Sequence, residues 1–209
     1  VNWALPEVKT VDARDAVGLL DELDPGVVTT EARRRRSFYR EEAARREATQ
    51  TQTRQEFLDG CGMELTVRPM EAADVDRVLE LMSRTHQLNT TGRMFSRDEV
   101  IDRADIHVAS LRDRFGDYGT IGVAISEGGL LSYLAISCRV MGRGVERALL
   151  ATVLEHGALL KDTGTNRAMR ALYQMSGLVA GELRPDGTQL FKVGTGPRQT
   201  VPSWIEVHS

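Results

Sequence analysis

One stretch constrains this chain more than any other. In Ser137-Cys138-Arg139-Val140-Met141-Gly142-Arg143-Gly144 an apolar run ends in a cysteine and breaks into a glycine-spaced basic turn. Val145, Ala148, Leu149 and Val153 follow at helical spacing, so the turn is expected between the end of a buried strand and a helix N-terminus. Such a place binds anions, because the first N–H groups of a helix lack partners within it and lie at the positive end of its dipole. Gly142 and Gly144 would let a phosphate reach the main chain, and Arg139 and Arg143 would add charge. The same residues also suit an ordinary strand-to-helix loop, and both readings stand at this point.

A second stretch bears on the choice. From Asn166 to Leu178, Met169, Leu172, Tyr173 and Ser176 share one helical face, and Gly177 reads as the stop. An Arg-x-x-Gly-x-Gly turn before one helix, then Asn166 before a second helix that contains Tyr173 and closes on Gly177-Leu178, resembles the GNAT acyltransferase superfamily. The resemblance implies that the first loop holds the pyrophosphate or phosphopantetheine of an acyl carrier and that Tyr173 acts as a general acid near the thioester sulfur. Its place on the buried stripe suits packing equally.

With 209 residues, 41% apolar and 27% charged, the chain reads as one globular domain with an appendage. A net charge of −3 argues against a nucleic-acid or membrane binder. No apolar run is long enough to span a bilayer or reads as a secretory leader. Cys61 and Cys138 are too few for a disulfide framework or a structural zinc site, which fits a reducing cytoplasm, and no metal is expected in this chain. Because it begins with Val1, it is expected to be a fragment or a trimmed chain.

Residues 1–60 read as a helical connector and residues 61–209 as the transferase-like domain. Val17, Leu20 and Leu23 suggest a short helix that stops at Pro25-Gly26. A second helix is expected from Thr29 or Thr30 through Ala48. Its run Arg33 to Arg36 covers every side of one turn and lies among carboxylates, as a solvated or partner-facing surface does. Thr49 to Thr53 is a polar hinge. Beyond it come a strand (Glu64 to Arg68), a helix (Ala72 to Arg84), a polar knot (Thr85 to Arg93) and a helix capped by Ser96 with Glu99. Strands at Ile106 to Arg112 and Thr120 to Ile125 are expected to join through Gly116-Asp117-Tyr118-Gly119, with a third strand from Leu130 to Ser137. Two more follow at Val179 to Leu183 and Gln189 to Val193. The fold class is therefore α/β of the α+β kind, a GNAT-like mixed, mainly antiparallel sheet flanked by helices. Between a helix ending near His156 and Asn166 only a strand of ~5 residues fits, and missing residues are expected there.

Thr-x-Gln-x-Asn (Thr85 to Asn89) before Gly92-Arg93, then Arg114-Phe115-Gly116-Asp117, then Ser137 to Glu146 resemble the C-terminal region of the FkbH-like family. The likeness covers nearly the whole chain, and the Thr29 to Arg40 stretch is similar to that family's helical connector. It implies glyceryl transfer from 1,3-bisphosphoglycerate to the phosphopantetheine thiol of an acyl carrier protein for polyketide-type biosynthesis. The family's N-terminal haloacid-dehalogenase-type (HAD-type) domain, where Mg2+ is expected, is not recognisable here. Asp74-Val75-Asp76 is the sole Asp-x-Asp and reads as a solvated helix face. The expected partners are the carrier protein and that HAD-type domain, fused or separate, and the chain itself needs no cofactor.

Cys138 is the candidate nucleophile, since neighbouring arginines and a helix N-terminus favour a thiolate. A cysteine ending a strand is also a common core residue. His86 could serve as a base, although the family usually carries Asn there. Gln87 and Asn89 could bind the glyceryl hydroxyls or the thioester carbonyl, or hold the bend between two helices. Arg139, Gly142, Arg143, Gly144 and Asn166 complete the expected carrier-binding set. Arg93 and Arg114 could bind acidic groups or be surface charges. A non-catalytic GNAT-like module that docks a carrier protein, and an acyl-CoA-dependent N-acyltransferase, are the alternatives.

Overall fold

The computed structural model describes residues 35–49, 52–103, 105–196 and 200–209, all within one compact unit, Arg34–Ser209. The expected helix at Val17 to Leu23 and the Pro25-Gly26 turn lie outside the described residues. Helix α1 (Arg35–Thr49) precedes α2 (Arg54–Asp59), whose Thr53 and Glu56 form a reciprocal capping box. Then come β1 (Met63–Pro69), α3 (Val75–Arg84), α4 (Arg97–Ile101), β2 (Ile106–Asp113), β3 (Gly116–Glu127) and β4 (Leu130–Ile136). Helix α5 (Val145–Val153), β5 (Gly157–Lys161), α6 (Arg167–Met175), β6 (Leu178–Leu183), β7 (Thr188–Val193) and β8 (Ile205–His208) complete the order.

The strands form one sheet in the order β6-β7-β5-β4-β3-β2-β1-β8. Pairing is antiparallel except between β4 and β5 and between β1 and β8. Period-two alternation gives the sheet two buried faces. Leu134 and Ile136 of β4 join the core that includes residues of α2, α5 and α6, whereas Tyr133 and Ala135 join the one under α3 and α4.

Four expectations change. The β2–β3 hairpin turns at Arg114-Phe115, before the glycines, because the Asp113 carboxylate accepts the N–H groups of Phe115 (2.9 Å) and Gly116 (3.0 Å) and closes the loop early. Asp74 is not solvated: it is 9% exposed and forms a two-point ion pair with Arg68 at 2.7 and 2.9 Å. The Arg68 guanidinium, with the Glu71 N–H, holds the Asp74 carboxyl below the usual carboxylate range. No residues are missing before Asn166. Helix α5 ends at Val153, which leaves Leu154 to His156 as the connection, and all five residues of β5 pair with β7. Finally, β8 adds a parallel edge beside β1 that was not expected.

Strands β4 and β5 pair only at Leu130–Gly157 and Leu131–Ala158 and then part. Leu88-Asn89-Thr90, from the knot between α3 and α4, fills the gap. Ile136 N–H donates to Leu88 O (2.8 Å), Thr90 N–H to Leu134 O (3.0 Å) and Lys161 N–H to Thr90 O (2.8 Å). Leu134 N–H is taken by Thr90 Oγ1 at 3.0 Å. The segment is a three-residue wedge that satisfies the main chain of both strands where they diverge.

Candidate functional site

The glycine turn is built from its caps inward. Ser137 caps a short 3-10 turn, Cys138–Val140, by accepting Arg139 N–H at its Oγ. Gly142 (φ +77°) and Gly144 (φ +87°) then reverse the chain into α5. A Cβ on Gly144 would lie 3.1 Å from Pro202 Cγ and 3.2 Å from Trp204 Cζ2. Trp204 Nε1–H also donates to Arg143 O at 2.9 Å, so the residues before β8 close over the turn. Gly144→Ala therefore meets both a left-handed backbone and a crowded Cβ. It is expected to lose about 1–2 kcal/mol from the backbone alone, read as a lower urea midpoint with an unchanged slope.

Beside this turn opens a cleft of about 550 Å³. Leu58 of α2, Leu88 of the wedge, and Ala168, Ala171, Leu172 and Met175 of α6 give it apolar walls. Arg54, Arg143 and Arg147 line it together with Gly142 and Gly144. In a chain of net charge −3 this is a local excess of cations beside a helix N-terminus. Glu146 is the sole carboxylate among the lining residues, and its Oε2 is walled off without a hydrogen-bond partner. Apolar walls, a few convergent polar groups and an anion-binding end suit a chain-like ligand that carries a phosphate.

The sequence candidates separate into three groups. Gly142, Arg143 and Gly144 line the cleft. Arg143 is engaged there: it donates to Tyr118 Oη and pairs with Glu42 of α1 at 2.9 Å. Burial raises the Tyr118 phenol well above its ordinary value, although Arg143 lies beside it. Arg139 turns away, with Nε 3.3 Å from Ser137 Oγ and Nη2 3.3 Å from Tyr118 O.

Asn89 and Asn166 form the second group, and both are buried. Asn166 does not cap α6 with its side chain; Nδ2 donates instead to Asn89 O (2.9 Å), Thr90 O (3.2 Å) and Lys161 O (2.9 Å). Its Oδ1 accepts Thr163 N–H at 3.1 Å. Asn89 Nδ2 donates to Thr85 O and Tyr133 Oη, while Oδ1 accepts Thr91 and Gly92 N–H. These two amides hold the wedge in place.

The third group lies apart from the cleft. Cys138 is exposed and does not line it. Tyr173 is fully buried, its ring edge-on to Phe191 at 5.4 Å and its hydroxyl 3.4 Å from Leu159 O, and burial raises its phenol far above the ordinary value. His86 and Gln87 are exposed just before the wedge. Arg93 pairs with Glu99 at 2.8 Å, and Arg114 lies over the Phe115 ring at 4.6 Å. Cys61 is buried, and burial pushes its thiol up.

Arg54 and Arg147 were missed by sequence reasoning. Arg54 reaches the carbonyl of Gly142, 88 residues away, from the first turn of α2. The Thr53-to-Glu56 capping box announces that helix, but nothing local announces its target. On the opposite face of the wedge lies a polar cleft of about 540 Å³ with Thr91, Arg93, Tyr133, Lys161 and Asp186 among its lining residues. Burial pushes the Tyr133 phenol there up to about 12.

No family model and no curated protein matches the chain. Among solved structures it is similar to a domain from Methanocaldococcus jannaschii, at 11% identity and TM-score 0.47, over 63% of this chain and 98% of that one. A GNAT-family acetyltransferase from Streptococcus agalactiae is 15% identical with TM-score 0.45, over 64% of this chain and 96% of its own. The GNAT domain of S. lividans PAT is 16% identical with TM-score 0.42, over 60% and 87%. Among the described residues no helix is long and apolar enough to cross a membrane.

Proposed function

We propose that this chain is an acyltransferase domain that binds a phosphopantetheine arm in the cleft beside Gly142 and Gly144. The carried group is glyceryl, and the arm belongs to an acyl carrier protein. The observation that carries the reading is the pairing of a cationic, glycine-built turn with an apolar trough about 550 Å³ in volume. The phosphate lies against the helix N-terminus with Arg147, and the amide chain runs between α2 and α6 toward Leu88. The motifs shared with the FkbH-like family support the choice of cargo, and the HAD-type domain of that family would supply the acyl phosphate.

Two chemical routes follow. In one, a Cys138 thiolate attacks the acyl phosphate carbonyl and releases phosphate; the carrier thiol then attacks the resulting thioester, and its proton passes to the departing Cys138. In the other, the carrier thiol attacks the acyl phosphate directly. Exposure of Cys138 outside the cleft and the sealed Tyr173 hydroxyl also favour a second reading, a module that docks the arm for a partner enzyme.

Intact-protein mass spectrometry after mixing the chain with glyceryl-loaded carrier separates these readings. A hydroxylamine-labile glyceryl adduct on the wild type, absent from Cys138→Ala, is expected for the covalent route. Glyceryl movement to an added, unloaded carrier of different mass that persists in Cys138→Ala supports direct attack by the carrier thiol. Carrier binding without transfer by either form points to the docking module.

A further inference from the structure

We infer that Leu88 is the floor of the cleft and sets the length of the acyl group it accepts. The inference rests on the acyl-arm reading and deepens it. Leu88 is 3% exposed, lines the cleft and belongs to the core on the α5–α6 face. Its backbone cannot recede, because Leu88 O holds Ile136 N–H at 2.8 Å and the next residue bridges Ala135. Thr90 is bonded to Leu134 on one side and Lys161 on the other, and Asn166 holds the carbonyls of Asn89 and Thr90.

The opening between β4 and β5, where the two strands part, is thus occupied by the protein's own main chain. An arm anchored by its phosphate at Gly142–Gly144 ends on the α5–α6 face. Whatever lies beyond its sulfur meets the Leu88 side chain. Short acyl groups fit above an intact Leu88; longer ones require it to be smaller. The groups on the other face, Tyr133 and Lys161, stay out of reach of that acyl group.

The test measures binding of S-acyl 4′-phosphopantetheine, with acetyl, butyryl, hexanoyl and octanoyl groups, to the wild type, Leu88→Ala and Leu88→Phe by calorimetry. Substitution in both directions guards against a simple packing defect, and near-UV circular dichroism confirms that each variant is folded. Leu88→Ala is expected to shift preference toward hexanoyl and octanoyl by about tenfold or more relative to acetyl. Leu88→Phe is expected to weaken butyryl relative to acetyl. If the unacylated arm binds the wild type but neither variant changes the length preference, the floor is wrong and the arm reading stands. If the unacylated arm fails to bind the wild type, the arm reading falls and takes the floor with it.

Discussion

Asp113→Ala is expected to lower the free energy of unfolding by about 3–5 kcal/mol, a fall of about 6–20 °C in melting temperature for a chain of this length. Asp113 ends β2 with its side chain 2% exposed. It accepts Arg45 Nε at 3.0 Å and Nη2 at 2.9 Å, and it also takes the Tyr118 hydroxyl at 3.1 Å and the two turn N–H groups. Arg45 comes from α1 and is 3% exposed, lying over the rings of Tyr118 at 4.3 Å and Phe115 at 5.6 Å. Removing the carboxylate takes both short hydrogen bonds from a buried guanidinium, which among the described residues keeps only Glu41 and Glu42 at 3.9 Å, and leaves several donors without their acceptor at once.

The pair matters for the cleft as well as for stability. Helix α1 sits directly on the hairpin, since a Cβ on Gly116 would run into the Glu41 carboxyl. The same helix supplies Glu42 to Arg143 of the cleft lining. Asp113→Ala therefore loosens the support of Arg143, and ligand affinity falls along with stability. Urea unfolding of the wild type and Asp113→Ala checks the first effect. A loss below about 1 kcal/mol would mean that the pair behaves as an exposed one, and would contradict its assignment as the clamp of α1.

Asn166→Ala is the second large effect. Its amide serves three carbonyls and one N–H, all at the junction of the wedge with β5 and α6. Alanine removes one partner from each; Thr90 O keeps the Lys161 N–H, and the cost is about 1–3 kcal/mol for each group left unpaired where water cannot reach. The loss is local in character. Hydrogen exchange is expected to accelerate first at Thr90, Leu134, Ile136 and Lys161, whose N–H groups bond within the wedge, while the β2–β3 hairpin keeps its protection. Uniform acceleration across the sheet would show instead that the wedge opens only when the whole domain unfolds. A residue that only started α6 would cost far less, because the Asn166 side chain makes no cap bond there.

Much of the architecture was legible because it is written in short-range signals. Period-two runs gave β2, β3 and β4, the Ser96–Glu99 box gave the start of α4, and the Gly177 stop (φ +79°) gave the end of α6. Strand β8 was invisible: four residues, Ile205-Glu206-Val207-His208, carry too little alternation to stand out, and their pairing with β1 spans the whole domain. The β2–β3 turn was misplaced because glycines look like turns. Gly119 does take φ +64°, but within β3, while the Asp113 side chain makes the reversal. The interval before Asn166 looks too short in sequence because nothing there marks the end of α5 at Val153, three residues before His156.

Part of the cleft lining was legible. Gly142 and Gly144 are recognisable because a strand, a spaced pair of glycines and a helix follow in order along the chain. Asn166 stands before α6 as the sequence suggests, and its side chain reaches a main-chain segment 76 and 77 residues away, a target no local pattern announces. Leu88 gave no signal at all: an apolar residue among polar neighbours reads as a loop anchor, and only the parting of β4 and β5 turns it into the floor of a cleft.

The most direct measurement is an amide NMR titration of this chain with 4′-phosphopantetheine. Saturable shifts are expected at Gly142, Gly144, Glu146 and Arg147, extending through Ala171 to Leu88, with Arg147→Ala weakening the affinity and steepening salt having the same effect. Absence of binding, or shifts centred on Tyr133 and Lys161 across the sheet, would contradict the assignment of the cleft to an acyl-carrying arm.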